Sequence, residues 1–254
     1  MELPRNHFKA ALEARRHQLG IWNTIGGNTV AEALGSCGYD WVLIDCEHAA
    51  VETIEVLPAL QAVAGFPEVS AVVRPAGNDP VLIKRLLDFG AQSLLIPYVQ
   101  SAEEAAAAVA AMRYAPEGMR GLAGVTRATR YGKVANYHAR AAEELCLVVQ
   151  VETVDAVERL EEIAGVPGVD GVFIGPADLS ASMGYPGNVT HPEVVAVIED
   201  TITRIQAAGK PAGILTLDPT FASRCMELGT GFTAVGVDLA LLVDGATALR
   251  GNWP

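Results

Sequence analysis

The sequence predicts a single-domain α/β protein, a (β/α)8 TIM barrel over residues 1–254, on three observations. Short apolar runs alternate eight times with segments of helical period. A chain of 254 residues suits one such barrel, which commonly occupies ~250. Polar and ionisable residues gather where the apolar runs end, and the runs themselves read as strands buried on both faces.

A leading helix is expected from about Phe8 to Arg16, and the first strand is Gly20–Asn23, followed by Gly26-Gly27 and a helix over Thr29–Cys37. Tyr39–Asp45 is the second strand. The helix after it carries Ile54, Leu57, Leu60 and Val63 at helical spacing, with Pro58 imposing a kink or a late start. Val69–Arg74 is the third strand, and Asp79-Pro80 opens a helix striped by Leu82, Leu86 and Phe89. Ser93–Pro97 is the fourth strand, and Ser101-Ala-Glu-Glu104 has the spacing of a capping box before an alanine-rich helix. The stretch from Arg113 to Glu144 breaks the rhythm with five arginines and four glycines, and a connection that long is usually functional or a subunit contact. Leu145–Val151 is the fifth strand, Val154, Val157, Leu160 and Ile163 stripe a helix, and Gly171–Ile174 is the sixth strand. Thr190-His-Pro-Glu193 starts a long helix with Val194, Val197, Thr201 and Ile205 inward. Ala212–Leu215 is the seventh strand, Asp218-Pro219 caps a further helix, and Thr233–Val237 is the eighth. A helical tail runs from Leu239 to Leu249 and ends near Gly251.

Half the residues are hydrophobic, enough for a large core, and the net charge is −12. That charge argues against nucleic acid or an anionic membrane surface as partner. No apolar run approaches the ~18 residues that cross a bilayer, and the N-terminus lacks a signal-peptide core. A cytoplasmic location is therefore expected. Cys37, Cys46, Cys146 and Cys225 show no CxxC spacing, and three lie in apolar segments, as reduced core thiols do.

The strand ends carry the chemistry. Glu152 and Asp178 follow the fifth and sixth strands at equivalent positions; singly each would serve as a helix cap, but as a pair they make a hard-cation site. Oxygen ligands favour Mg²⁺ or Mn²⁺ over zinc. His48, the one histidine at a strand end, is the candidate general base, with Asp45 orienting it. Arg74 at the third strand end suits a carboxylate or a developing oxyanion. Gly175 and Pro176 let the N–H groups of Ala177 and Asp178 face a carboxylate, Pro176 having none to donate. Trp22, Asn23 and Leu215, after strands one and seven, are expected to line the remaining pocket. Asp88 falls on the opposite barrel face and could reach a site only across a subunit interface. No lysine lies at a strand end, so no Schiff base is expected, and there is neither a P-loop nor G-x-G-x-x-G.

Tyr39-Asp-Trp-Val-Leu-Ile-Asp-Cys-Glu-His48, Val73-Arg-Pro75, Leu95-Ile-Pro97, Gln150-Val-Glu-Thr153, Val172–Ser180 and Val235-Gly-Val-Asp238 resemble, in order, the metal-dependent 4-hydroxy-2-oxo-acid aldolases of the HpcH/HpaI family. The resemblance implies a (β/α)8 barrel, a homohexamer built as a trimer of dimers, that uses Mg²⁺, Mn²⁺ or Co²⁺ to cleave a 4-hydroxy-2-oxo acid reversibly into pyruvate and an aldehyde. It implies metal on Glu152 and Asp178, the base at His48 backed by Asp45, and keto-acid contacts from Arg74, Gln150 and the amides near Ala177 and Asp178. Cys46 departs from the pattern, where glycine is expected. An acyl-CoA lyase related to the citrate lyase β-subunit would share these features but needs a basic patch, for which only the Arg113–Arg140 segment is available. A non-catalytic keto-acid-binding barrel would leave His48, Arg74 and the carboxylate pair without a task.

Overall fold

The computed structural model describes all 254 residues. Its elements run α1 (His7–Glu13), β1 (Gln18–Asn23), α2 (Asn28–Gly35), β2 (Trp41–Asp45), α3 (Val56–Val63), β3 (Ser70–Arg74), α4 (Pro80–Asp88), β4 (Ser93–Ile96) and α5 (Ala102–Met112). The long connection contains α6 (Tyr137–Glu144) and leads to β5 (Cys146–Val151), α7 (Val154–Glu158) and α8 (Leu160–Ala164). Then come β6 (Gly171–Ile174), α9 (Pro176–Ser182), α10 (Pro192–Ala207), β7 (Ala212–Leu215), α11 (Pro219–Glu227), β8 (Phe232–Val237) and α12 (Asp238–Arg250). The eight strands are parallel and close in chain order, β8 returning to β1 at the register Gln18↔Phe232. This is the expected (β/α)8 barrel, and it puts every strand's carboxyl end on one rim.

Alternation along each strand sorts side chains into two cores. Inward residues Trp22, Trp41, Leu43, Val72, Leu95, Val148, Phe173 and Phe232 fill the cylinder, and Phe8 and Leu12 of α1 belong to the same cluster. Outward residues such as Ile21, Ile44, Val73 and Ile174 pack with the helices in a larger layer.

Two Asp-Pro helix starts follow the predicted punctuation. Asp79 accepts from the N–H groups of Val81 and Leu82 with Pro80 beside it, and Asp218 does the same for Thr220 and Phe221. The capping box expected at Ser101 is half formed, because the Glu104 carboxylate accepts from the Gln100 N–H instead, and α1 ends at Glu13 rather than near Arg16. The helix faces depart in places. A 3₁₀ turn over Thr53–Glu55 precedes α3, so the helix starts late and puts Pro58 in its first turn. The shift in phase leaves Ile54 exposed and turns Val56, Ala59, Leu60 and Val63 inward. In α4 the buried stripe is Ile83, Leu86 and Leu87, rotated from the predicted one. The helix after β5 is broken at Arg159 into α7 and α8.

No helix is long and apolar enough to cross a membrane. In α12, Leu239, Leu241, Leu242, Val243 and Leu249 are each at least 50% exposed. Only Asp238 of this helix is buried, so its apolar side chains have no partner within the chain.

Candidate active site

Asp45 is the last residue of β2 and Arg74 the last of β3, paired directly in register. Adjacent parallel strands therefore aim both side chains at the same rim. Arg74 Nε donates to Asp45 Oδ1 and Nη2 to Asp45 Oδ2, both at 2.7 Å. Its Nη1 lies 2.8 Å from Glu47 Oε2, an ion pair without hydrogen-bond alignment, so that oxygen has no directed partner. Burial works against the Arg74 charge, but the bond to Asp45 and the fields of Asp45 and Glu47 outweigh it and hold the guanidinium ionised. Beneath it, Trp22 presents its ring 5.4 Å from the guanidinium carbon.

The second half of the site comes from β5 and β6. Glu152 is buried just past β5, its Oε1 accepting from the Tyr98 N–H at 2.8 Å and its Oε2 from Gln150 Nε2 at 2.5 Å. Tyr98 adopts φ 55°, the left-handed region that side chains disfavour, in the turn after β4. Burial raises the Glu152 carboxyl to about 7; the Gln150 and Tyr98 hydrogen bonds oppose this, while Glu47 and Asp178 add to it. Glu47 is raised too, by burial first, with Arg74 and His48 pulling against it and Asp45 and Asp178 pushing up. Asp178 stands half-buried in the first turn of α9. There the N–H groups of Ala177 and Asp178 belong to the set that a helix leaves without internal acceptors.

Gly175 permits this packing. A Cβ there would fall 2.5 Å from Glu152 Oε2 and 2.8 Å from Glu152 Cβ. Gly175→Ala is expected to displace Glu152 and lower turnover about a hundredfold while the barrel still folds, because misplacement by about 1 Å at a reacting centre costs that much. Circular dichroism with steady-state rates checks it; a rate within threefold of the parent would show that the Glu152 position is not critical.

The residues fit a hard divalent cation. Asp45 and Glu47 contact the Arg74 guanidinium, the field of Glu152 reaches it, and Asp178 acts on Glu47 and Glu152, while Gln150 Oε1 and Glu47 Oε2 are buried without hydrogen-bond partners. The donors are oxygens, as Mg²⁺ and Mn²⁺ require. The Cys46 thiol, pushed up to about 12 by burial and by Asp45, Glu52 and Glu55, stays protonated and offers no soft ligand. No group of three or more His, Cys, Asp or Glu is arranged to hold a metal ion anywhere in the chain, so a cation here would rest on two carboxylates completed by water and substrate oxygens.

Some expectations need correction. Asp45 does not orient His48, because both its oxygens are engaged by Arg74. The histidine, its side chain 65% exposed, lies 3.8 Å from Glu47 Oε2 instead. Glu47, which sequence reasoning left without a role, is thus the acid between His48 and the Arg74 guanidinium; its place beside Asp45 and His48 was the only available signal. Trp22 does not line an open pocket: its ring points into the cylinder and supports Arg74, whereas Leu215 sits half-buried at the end of β7 against that same inner cluster. Asp88 pairs within the chain to Arg120 at 2.8 Å. Three of the five arginines of the long connection are taken up within the chain: Arg120 holds Asp88, Arg127 donates to the carbonyls of Phe89 and Leu60, and Arg140 pairs with Glu143. A cavity of about 300 Å³ between the N-terminal arm and α6 is lined by residues that precede β3, β4 and β5, on the face away from these groups.

Comparison with known proteins agrees with this architecture. Residues 18–245 match the model of the HpcH/HpaI aldolase/citrate lyase family. A pyruvate aldolase of Rhizobium etli is 61% identical, the match covering 100% of this chain and 99% of that one. A hydroxypyruvate/pyruvate aldolase of Sagittula stellata is 56% identical over 100% of both. The crystal structure of an HpcH/HpaI aldolase/citrate lyase family protein from Burkholderia cenocepacia superposes with a TM-score of 0.91 at 35% identity, covering 96% of this chain and 97% of the other.

Proposed function

The chain belongs to the HpcH/HpaI aldolase/citrate lyase family, and from that premise we propose that it cleaves 4-hydroxy-2-oxo acids reversibly into pyruvate and an aldehyde with a divalent cation. It is a carbon–carbon lyase of the aldolase type. The observation that carries the reading is the buried acid Glu152, raised to about 7 beside Asp178 and Glu47, with ionised Arg74 on the same rim.

Glu152 and Asp178 would hold Mg²⁺, Mn²⁺ or Co²⁺, which when bound supplies Lewis-acid polarisation of the keto acid. Gln150 and the free amides of Ala177 and Asp178, at the helix start that Gly175 and Pro176 introduce, orient the substrate carboxylate. His48, exposed at the rim, takes the proton from the C4 hydroxyl as the C3–C4 bond breaks. The bonding pair moves to C3 and the C2 oxygen, where negative charge develops against Arg74. Two of the five guanidinium N–H groups are bonded to Asp45, leaving others to face that oxygen. Protonation at C3 completes pyruvate, and the other fragment leaves as the aldehyde.

The exposed apolar face of α12 supports a homo-oligomer, which we take to be a hexamer, a trimer of dimers. Asp88 would contribute to a neighbouring site only if that assembly releases it from Arg120. Four free thiols and the absence of a membrane-spanning helix support a cytoplasmic enzyme.

The test is exchange of the pyruvate methyl protons in D₂O, followed by NMR, with chelator and with Mg²⁺ or Mn²⁺ restored. Cation-dependent exchange is expected in the parent chain. His48→Ala should bind the cation normally yet lose about 10²–10⁴-fold in aldol cleavage, the usual contribution of a positioned base. Undiminished cleavage would remove His48 from the mechanism. Tight pyruvate binding without exchange would make the barrel a keto-acid binder.

A further inference from the structure

Asp238 begins α12 at the end of β8, yet its carboxylate is committed elsewhere. Oδ1 accepts from the Thr24 N–H at 2.8 Å, the Thr24 hydroxyl at 2.7 Å and the Leu239 N–H at 2.8 Å. Oδ2 accepts from Asn23 Nδ2 at 2.8 Å and the Ile25 N–H at 3.1 Å. Five donors converge on a residue 5% exposed, so both oxygens are saturated and Asp238 has no lone pair left for a metal or a reacting proton. Four of the five come from one stretch, Asn23 to Ile25, immediately after β1.

That stretch is also braced from the other side. Gly26 and Gly27 follow it at φ 77° and 76°, and a Cβ on Gly26 would fall 2.8 Å from Val51 Cγ2. Val51 lies three residues beyond His48 in the loop after β2. The β1–α2 segment is therefore clamped by β8 and seated against the loop that carries the base. The rim order adds the rest. Groups assigned to the keto acid stand on β2, β3, β5 and β6, and the closed barrel leaves β7, β8 and β1 facing them across the mouth.

We propose that Asp238 is a positioning residue that fixes Asn23–Gly27 as the wall against which the aldehyde half of the substrate lies. The inference rests on the aldolase reading above. If His48 handles the proton of the C4 hydroxyl, the aldehyde oxygen lies by His48, and the segment seated on the His48 loop bounds it. The clamp then governs aldehyde affinity and leaves pyruvate activation untouched.

Three variants of the full chain test it: Thr24→Val, which removes one hydroxyl donor, Thr24→Ser, which restores it, and Asp238→Asn. Aldol addition is followed at saturating pyruvate with glycolaldehyde varied, alongside pyruvate methyl-proton exchange. Thr24→Val is expected to raise the glycolaldehyde KM about tenfold with exchange within about twofold of the parent, as loss of a bond to a charged acceptor implies. Thr24→Ser should return KM to the parent value, and Asp238→Asn should raise it further. Should Asp238→Asn prove insoluble, the Thr24 pair decides. An unmoved KM in Thr24→Val, or an equal fall in exchange and addition, would overturn the proposal. Absence of exchange in the parent chain would overturn the aldolase reading with it, a result distinct from intact exchange with an unmoved KM.

Discussion

Glu152→Gln is expected to abolish cleavage while stabilising the cation-free protein. Burial raises the Glu152 carboxyl from the ordinary 4.5 to about 7. A carboxylate raised on folding binds more protons in the native state, so native stability falls as pH climbs from the unfolded value to the folded one and is level above it. The loss develops between about pH 4.5 and about 7 and amounts to at most ~3 kcal/mol. Glutamine removes that charge and keeps an oxygen for the Tyr98 N–H. Its new amide protons meet Gln150, whose Oε1 has no partner in the parent. In chelator the variant should therefore melt higher than the parent at pH 8 and equally at pH 4. With Mg²⁺ or Mn²⁺ it should lose at least ~10³ in cleavage, since a single charged ligand would be gone from a two-carboxylate site. Thermal melts at the two pH values and steady-state rates read both effects. Full activity would remove the cation assignment, and a melting gain independent of pH would remove the buried-charge argument.

Arg74→Lys should damage both properties. Lysine keeps the charge but cannot span both oxygens of Asp45 while approaching Glu47, so one buried and one half-buried acid lose part of their compensation. Breaking a buried pair costs about 3–5 kcal/mol when the charge is removed outright, and roughly half of that is expected here. Cleavage should fall by about 10²–10³, in kcat rather than KM, because the guanidinium meets charge that exists only as the bond breaks. Urea melts and steady-state kinetics check it. A kcat within threefold of the parent would assign Arg74 to structure alone.

Sequence pattern located all eight strands because each is an apolar run too short for a helix and bounded by turn or cap residues, and length and flanks decide where periodicity alone does not. It located the rim residues for the same reason: a run that stops on Asp45, Arg74 or Glu152 has only one end to stop at. It failed where an answer depends on rotation about an axis. The α3 and α4 stripes were misplaced because a 3₁₀ turn and a shift of one residue change a helix face without changing its composition. Trp22 was placed at the mouth because its position along β1 was readable, whereas its inward direction depends on the parity of the closed barrel. The partner of Asp45 was misread for a related reason. His48 is close in the chain, but register puts Arg74 directly beside Asp45. The N–H of Tyr98 on Glu152 left no trace in residue type at all, because any amino acid but proline could supply it.

The barrel closes between its first strand and its last. Asp238 reaches Thr24 across 214 residues, and β8 pairs with β1 along the same seam. Entropy charges little for so wide a ring, since closure cost grows only with the logarithm of length. Speed is another matter, because contacts this distant in sequence form slowly and after local ones. The strands that carry Arg74, Glu152 and Asp178 precede β8 in the chain, so the seam is the last pairing that synthesis permits. The aldehyde wall is the last part of the rim to exist. Until the seam is sewn, the growing polypeptide holds a half-built cylinder whose two raw strand edges must be kept from other chains.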